Sequence, residues 1–165
     1  MPNPSSATTR IQRLWSRLSP LPGGRWLFNA VFSWMVPYSG SIRPRVTHLE
    51  PGRARVAMAD RRRVRNHLDS VHAVAVANLG EVASGLAMVG ALPATARGIL
   101  VGLEVAYLKK ARGTLVADCR CRVTQVTESQ EQTVSVDVTD GDGDVVATVT
   151  ARWLLGPVPP KGGGA

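Results

Sequence analysis

The chain of 165 residues is long enough for one domain with its own hydrophobic core. Lys and Arg number 20 against 12 for Asp and Glu, and the net charge of +8 favours a polyanionic partner: nucleic acid, an anionic membrane or a phosphate-bearing small molecule. The only two cysteines, Cys119 and Cys121, share one face of a predicted strand. They cannot easily bridge each other, which argues against a disulfide-stapled fold and favours a reducing, cytoplasmic environment.

The N-terminal segment combines aromatic side chains with arginine and carries no acid before Glu50. Residues 1–9 are polar and predicted to be flexible. Helical spacing of apolar residues predicts one helix from Arg10 to Leu18 and a second from Arg25 to Val36. Three interpretations fit: an organellar transit peptide, helices that contact a membrane surface, or two helices that flank the domain with a basic outer face. We prefer the third interpretation, because the segment contains more aromatic residues than a cleaved targeting peptide requires.

From residue 41 onward the hydrophobic period changes to two, which predicts β-strands. Two strands precede residue 60, and four more follow Pro93. In the first of those four, alternate residues are predicted to share one face: Ile99, Val101, Leu103, Val105 and Tyr107. Because the connections are short and rich in turn residues, neighbouring strands must be antiparallel. The domain is expected to span 10–155, with flanking helices at 10–36 and a disordered tail at 156–165.

The stretch from Val71 to Leu92 predicts a long helix, because no proline interrupts it before Pro93. It is apolar nearly all round and rich in small residues, so it is expected to be buried against closely approaching strands. Its many Ala, Gly and Ser residues argue against membrane insertion. The sequence therefore predicts an α+β domain in which a six-stranded antiparallel sheet curls around one central helix.

Glu81, in the middle of this helix, is the one anomaly. One interpretation is a solvated stripe shared with Asn78 and Ser84, which lie three residues away on either side. The other is a catalytic carboxylate, because burial among apolar groups raises its pKa and lets it activate a water or attack a carbonyl directly. We prefer the catalytic interpretation, with Asn78 and Ser84 as residues that contact the substrate.

The segment from Arg65 to Glu81, together with the order of the elements, resembles the hotdog-fold thioesterases of the PaaI-like type. Their signature is His-Asn, two residues, Gly, two residues, His-Gly-Gly, four residues, then Leu-Ala-Asp/Glu. Asn66, His72, Leu79 and Glu81 match this signature with its spacing kept. The first His falls on Arg65, the single Gly on Asp69, and the Gly-Gly pair on Ala73-Val74.

This resemblance implies an acyl-CoA thioesterase in which Glu81 is the general base or nucleophile. The backbone N–H of Ala73, at the positive end of the helix, would stabilise the oxyanion, and Asn66 and His72 would orient the carbonyl or a water. His72 and Glu81 are nine residues apart in the sequence, which places them on opposite sides of an ideal helix with roughly 3.6 residues per turn. They therefore cannot face one pocket. A homodimer, or a dimer of dimers, with composite sites is therefore expected.

Basic residues next to this motif are expected to bind the phosphates of coenzyme A: Arg65, Lys109, Lys110 and Arg112. No cofactor is expected, because coenzyme A enters only as part of the substrate. An alternative is a non-catalytic protein on the same fold that binds acyl-CoA or fatty-acyl groups. A nucleic-acid partner is not expected, because neither a groove-reading helix motif nor aromatic residues interleaved with a basic sheet face occur.

Two patterns that resemble metal sites do not predict one. Asp140, Asp142 and Asp144 begin like a calcium loop, but the sixth and twelfth positions are Val145 and Ala151, so a hairpin turn is expected. The two cysteines lack further ligands at zinc spacing. The sequence therefore predicts no metal.

Overall fold

A computed structural model describes residues 4–123 and 125–158 of the chain. Helices α1 to α3 precede the sheet, and α4 follows a 3₁₀ turn at Arg62–Val64. The helices are α1 (Pro4–Leu18), α2 (Gly24–Met35), α3 (Pro37–Gly40) and α4 (Ala73–Ala91). The strands are β1 (Arg45–Glu50), β2 (Arg53–Met58), β3 (Ala96–Tyr107), β4 (Leu115–Arg120), β5 (Gln130–Thr139) and β6 (Val145–Pro157).

The six strands form one antiparallel sheet in the order β1-β2-β4-β5-β6-β3. Helix α4 packs on the inner face of this sheet and touches every strand. The predicted architecture, a six-stranded sheet around a long central helix, is confirmed. Strands β1 and β3 form the two edges of the sheet, and helix α2 packs against the β1 edge.

Helix α4 is built for close packing. At its start the imidazole Nδ1 of His72 accepts a hydrogen bond from the Val74 N–H at 3.1 Å, which caps the first turn. In its middle, a Cβ on Gly80 would stand 2.5 Å from a methyl of Val149, so only glycine lets β6 approach this closely. Among the described residues only α4 is long and apolar enough to cross a membrane, but here it is the mostly buried core helix.

Strand β3 contains a β-bulge that the alternating pattern did not predict. Leu100 pairs with Trp153 and Gly102 pairs with Arg152, so Val101 is an extra residue. The bulge reverses the side-chain phase: Ile99 pairs with the half-exposed Leu154, whereas Leu103 pairs with the buried Ala151. The prediction that Ile99 and Leu103 share one face is therefore wrong.

The N-terminal helices belong to the folded core. Trp15, Phe28 and Phe32 are buried, and the Trp15 and Phe28 rings meet edge to face with centroids 5.0 Å apart. This confirms the helices that flank the domain. The prediction of a basic outer face is correct for α1, whose Arg10, Arg13 and Arg17 are exposed. It is wrong for α2, whose outer face is aromatic.

The element ends differ from the predicted domain limits. Helix α1 begins at Pro4, six residues before its predicted start, and β6 continues to Pro157, two residues past the predicted domain end at 155. The predicted disordered tail lies outside the described residues from 159 onward. Both cysteines are free, and Asp140 closes the predicted hairpin turn by accepting hydrogen bonds from the N–H groups of Asp142 and Asp144.

Candidate active site

Glu81 lies on a stripe of α4 that the described residues leave partly open. Ala77, Glu81 and Gly85 follow each other at four-residue spacing and are partly exposed, whereas Asn78 and Ser84 are buried. The solvated stripe that would have joined Glu81 to Asn78 and Ser84 is therefore not present. Burial raises the pKa of the Glu81 carboxyl, because desolvation disfavours its charged form.

Gly85 and Trp153 shape the space around this carboxylate. The Glu81 Oε1 lies 3.8 Å from the point that a Cβ on Gly85 would occupy, and the Trp153 ring lies 3.5 Å from the same point. The indole Nε1 of Trp153 is buried without a hydrogen-bond partner among the described residues. Sequence reasoning missed both residues. Helical spacing from Glu81 could have indicated Gly85, but Trp153 is brought near only by the strand register.

Ser84 does not fit its predicted contact with substrate. The residue is fully buried, and its hydroxyl donates a hydrogen bond to the Glu81 carbonyl at 2.9 Å. The Ser84 side chain is therefore not accessible to a substrate in the described structure. Asn78 is 8% exposed and lines a cavity near the helix start, so it keeps a small accessible surface.

At the start of α4, the backbone N–H of Ala73 is available to donate a hydrogen bond to a ligand. The Val74 N–H is taken by His72, and the Ala75 N–H bonds the His72 carbonyl at 2.9 Å, whereas the Ala73 N–H has no acceptor in the described part of the chain. The hydroxyl of Tyr107 donates to the Ala73 carbonyl at 3.0 Å. This contact ties the helix start to the end of β3.

The loop before the helix is fixed by Asn66. Its side-chain carbonyl accepts hydrogen bonds from the Leu68 N–H and from the N–H and hydroxyl of Ser70. Asp69 has a φ of +53°, a left-handed conformation that glycine adopts most easily and Asp tolerates. This explains why the related signature has Gly at this position.

Two of the predicted phosphate ligands are engaged within the chain. Arg65 forms ion pairs with Asp60 at 2.6 Å and with Asp69 at 2.8 Å. Lys109 lies between Asp140, at 3.0 Å, and Asp144, and hydrogen bonds to these carboxylates raise its pKa strongly. Both cations are largely neutralised by the fold, which argues against the predicted role of either as a free phosphate ligand.

The other two predicted cations are less constrained. Lys110 is exposed and forms no ion pair among the described residues, and Arg112 uses only its Nε, which donates to the Asp69 carbonyl at 3.3 Å. Both lie in the segment that follows β3, beside the loop at 66–70. They keep charge available for an external anion.

Eight of the ten predicted site residues fall into three groups, and the other two, Ser84 and Arg112, line neither of the cavities below. Asn66, Ala73, Lys109 and Lys110 line a cavity of about 140 Å³ at the helix start. Arg65, His72 and Asn78 line a separate cavity of about 470 Å³ on the side facing α3. Glu81 lines neither. No group of three His, Cys, Asp or Glu residues within 4–123 and 125–158 could hold a metal ion.

A family model described as a domain of unknown function, DUF4442, matches residues 24–155. The chain belongs to the DUF4442 family. A search of curated proteins finds no match to the sequence. Among solved structures, the structural-genomics protein APC5556 has 30% identity and a TM-score of 0.78, with 90% of this chain and 98% of that chain covered.

Two further structures resemble this DUF4442 chain at lower identity. A Pseudomonas aeruginosa protein of unknown function, described as a probable thioesterase, has 23% identity and a TM-score of 0.74, covering 84% of this chain and 97% of its own. The phenylacetic acid degradation protein PaaI from Thermus thermophilus, solved as a mutant, has 21% identity and a TM-score of 0.61, covering 72% and 97%. These likenesses establish the hotdog fold and confirm the resemblance drawn from the motif.

Proposed function

We propose that the protein hydrolyses acyl-CoA thioesters with Glu81 as its catalytic carboxylate. The observation that carries this proposal is the position of Glu81: a lone carboxylate, desolvated and with a raised pKa, on the open stripe of the core helix. The Pseudomonas aeruginosa neighbour is described as a probable thioesterase, which supports the same reaction class.

A second copy of the chain would complete the site. Strand β3 is an edge of the sheet and exposes apolar side chains, of which Ile99 is 64% and Val101 42% exposed. Pairing of two β3 edges would extend the sheet and bring two open stripes together. The Ala73 N–H of one copy would then face Glu81 of the other. This supports a homodimer, and a dimer of dimers would use further surfaces.

In the simplest mechanism Glu81 accepts a proton from a water whose oxygen attacks the thioester carbonyl carbon. The tetrahedral oxyanion accepts a hydrogen bond from the Ala73 N–H at the positive end of the helix. Collapse of the tetrahedral intermediate breaks the carbon–sulfur bond, and Glu81 returns its proton to the leaving sulfur, which gives coenzyme A thiol, the carboxylic acid and the free carboxylate of Glu81. Direct attack by the carboxylate, followed by hydrolysis of an anhydride, uses the same groups.

Lys110 and Arg112 are the best candidates for the phosphates of coenzyme A. Both keep charge that the fold does not neutralise, unlike Lys109 and Arg65. Lys110 also lines the cavity at the helix start. Asn66 would hold the loop that shapes this cavity.

Glu81→Gln tests the proposal, because the amide keeps the shape and removes the base. With a panel of acyl-CoA substrates, kcat is expected to fall by about 10²–10⁴-fold while the dissociation constant for acyl-CoA changes little. Glu131→Gln, an exposed glutamate on β5, is the matched control and should behave as wild type. Unchanged hydrolysis in Glu81→Gln would contradict the mechanism.

The same experiment addresses a second candidate, a non-catalytic protein that binds acyl-CoA. The observation favouring it is Val74, which is 53% exposed at the helix start where the related signature has glycine. Its isopropyl group lines the cavity of about 470 Å³ at the helix start and takes up space that glycine would leave open. Binding of acyl-CoA without turnover by wild type would favour this function.

A further inference from the structure

The outer face of α2 is apolar, although nothing in the described part of the chain covers it. Phe28 and Phe32 face the core, and on a helix with about 100° per residue Trp26 and Trp34 point the opposite way. Trp26 is 76% and Trp34 81% exposed. Leu27 is 45% and Tyr38 72% exposed in the same part of the chain, and these residues form the α2 surface: Trp26, Leu27, Trp34 and Tyr38. Exposed apolar patches of this kind mark interaction sites.

Arginines border the α2 surface. Trp26 lines a groove of about 490 Å³ together with Arg43, Arg45 and Arg61, and no acidic residue among those described lines it. Burial lowers the pKa of Arg61, and the neighbouring charges of Arg43 and Arg63 lower it further. No salt bridge among the described residues joins Arg43, Arg45 or Arg63 to a carboxylate. These cations repel one another and lack an internal counter-ion there.

The α2 surface adjoins the sheet edge that is not assigned to the dimer. Helix α2 packs against β1, at the end of the sheet opposite to β3. Pairing of two chains through β3 would therefore leave the α2 surface of each copy open. A different partner is needed to cover it.

We propose that the α2 surface binds anionic phospholipid bilayers. Tryptophan and tyrosine rings favour the boundary between acyl chains and headgroups, and the bordering arginines would contact lipid phosphates. Leu27 would enter the apolar layer. A nucleic acid could stack on the two indoles, but it would leave this aliphatic side chain in water. The chemistry therefore favours a lipid surface, parallel to which α2 would lie.

Vesicle flotation of the full chain tests this proposal. Wild type is expected to float with vesicles of phosphatidylcholine mixed with phosphatidylglycerol, not with phosphatidylcholine alone, and to be released by high salt. Trp26→Ser/Trp34→Ser and Arg43→Glu/Arg45→Glu should each weaken binding roughly tenfold or more. Leu154→Ser and Arg152→Glu, exposed on the outer face of β6, are the matched controls and should bind as wild type.

Tryptophan fluorescence gives a second readout, because Trp15 and Trp153 are buried whereas Trp26 and Trp34 are exposed. A blue shift with anionic vesicles is expected in wild type and not in Trp26→Ser/Trp34→Ser. If Trp26→Ser/Trp34→Ser shows no thermal unfolding transition, the result is taken from Arg43→Glu/Arg45→Glu alone.

Four results would overturn the proposal. They are no flotation of wild type, equal flotation with neutral vesicles, unchanged binding in both double variants, and equal loss in the controls. A change of oligomeric mass in the tryptophan variant without vesicle binding by wild type would assign the surface to a second copy. If wild type binds a single-stranded oligonucleotide and does not bind vesicles, the α2 surface is a nucleic-acid binding site.

Discussion

The two faces of α4 are built from similar small residues, yet the described part of the chain covers one of them fully and the other only in part. On the covered face, a Cβ on Gly80 would stand 2.5 Å from a Val149 methyl. On the open face, a Cβ on Gly85 would meet nothing nearer than the Trp153 ring at 3.5 Å. Small residues thus serve close packing on one side and access to a carboxylate on the other, and sequence composition does not distinguish these uses.

The pH dependence of hydrolysis tests the open face most strongly. Because the pKa of Glu81 is raised above its ordinary value of 4.5, kcat/KM should fall about tenfold per pH unit below that raised pKa. Loss of thioester ultraviolet absorbance, followed from acid to neutral pH, measures the profile. A midpoint at or below 4.5 in the free enzyme would mean that the acting carboxylate is not desolvated.

Substitution of alanine for Gly80 and for Gly85 should change the free energy of unfolding differently on the two faces of α4. Gly80→Ala is expected to destabilise the protein by about 1–3 kcal/mol, because Val149 and β6 must move. Gly85→Ala is expected to be neutral or to stabilise by up to about 1 kcal/mol, from the better helix propensity of alanine. Urea unfolding of both variants measures this. Equal losses at both positions would mean that the open face is also tightly covered.

Glu81 should also make stability depend on pH. A carboxyl whose pKa is raised by folding contributes stability that is fully present below its unfolded pKa and lost as pH rises through its folded pKa. Glu81→Gln should therefore melt above wild type at neutral pH, and the difference should vanish near pH 4. Calorimetry across this range checks the sign. Lower stability of the variant at neutral pH would indicate a favourable partner for the charged carboxylate.

The two neighbouring lysines should give the smallest and most separable effects. Lys109→Met removes the partner of Asp140 and Asp144, so it should lower the melting temperature without a specific change in KM. Lys110→Met should leave the melting temperature unchanged and raise the KM for acyl-CoA. Steady-state kinetics and thermal melts on both variants decide this. The reverse pattern would exchange the structural and binding roles of the two residues.

Much of the architecture was predictable from local patterns. Alternation predicted six strands, and an apolar stretch before Pro93 predicted the core helix, because both periods are properties of consecutive residues. The bulge at Val101 was not predictable, since it depends on how β3 pairs with β6. The aromatic outer face of α2 was also missed, because helical spacing alone does not show which side of a largely apolar helix meets the core.

The candidate site divides in the same way. The sequence by itself determined that Glu81 lies near the middle of an apolar helix and that His72 lies close to its start, because these follow from position along the chain. Only the tertiary structure decided that Ser84 is buried, that Lys109 is held by two carboxylates, and that the Ala77–Gly85 stripe is open. Those facts arise from contacts between residues distant in the chain, which no short-range pattern encodes.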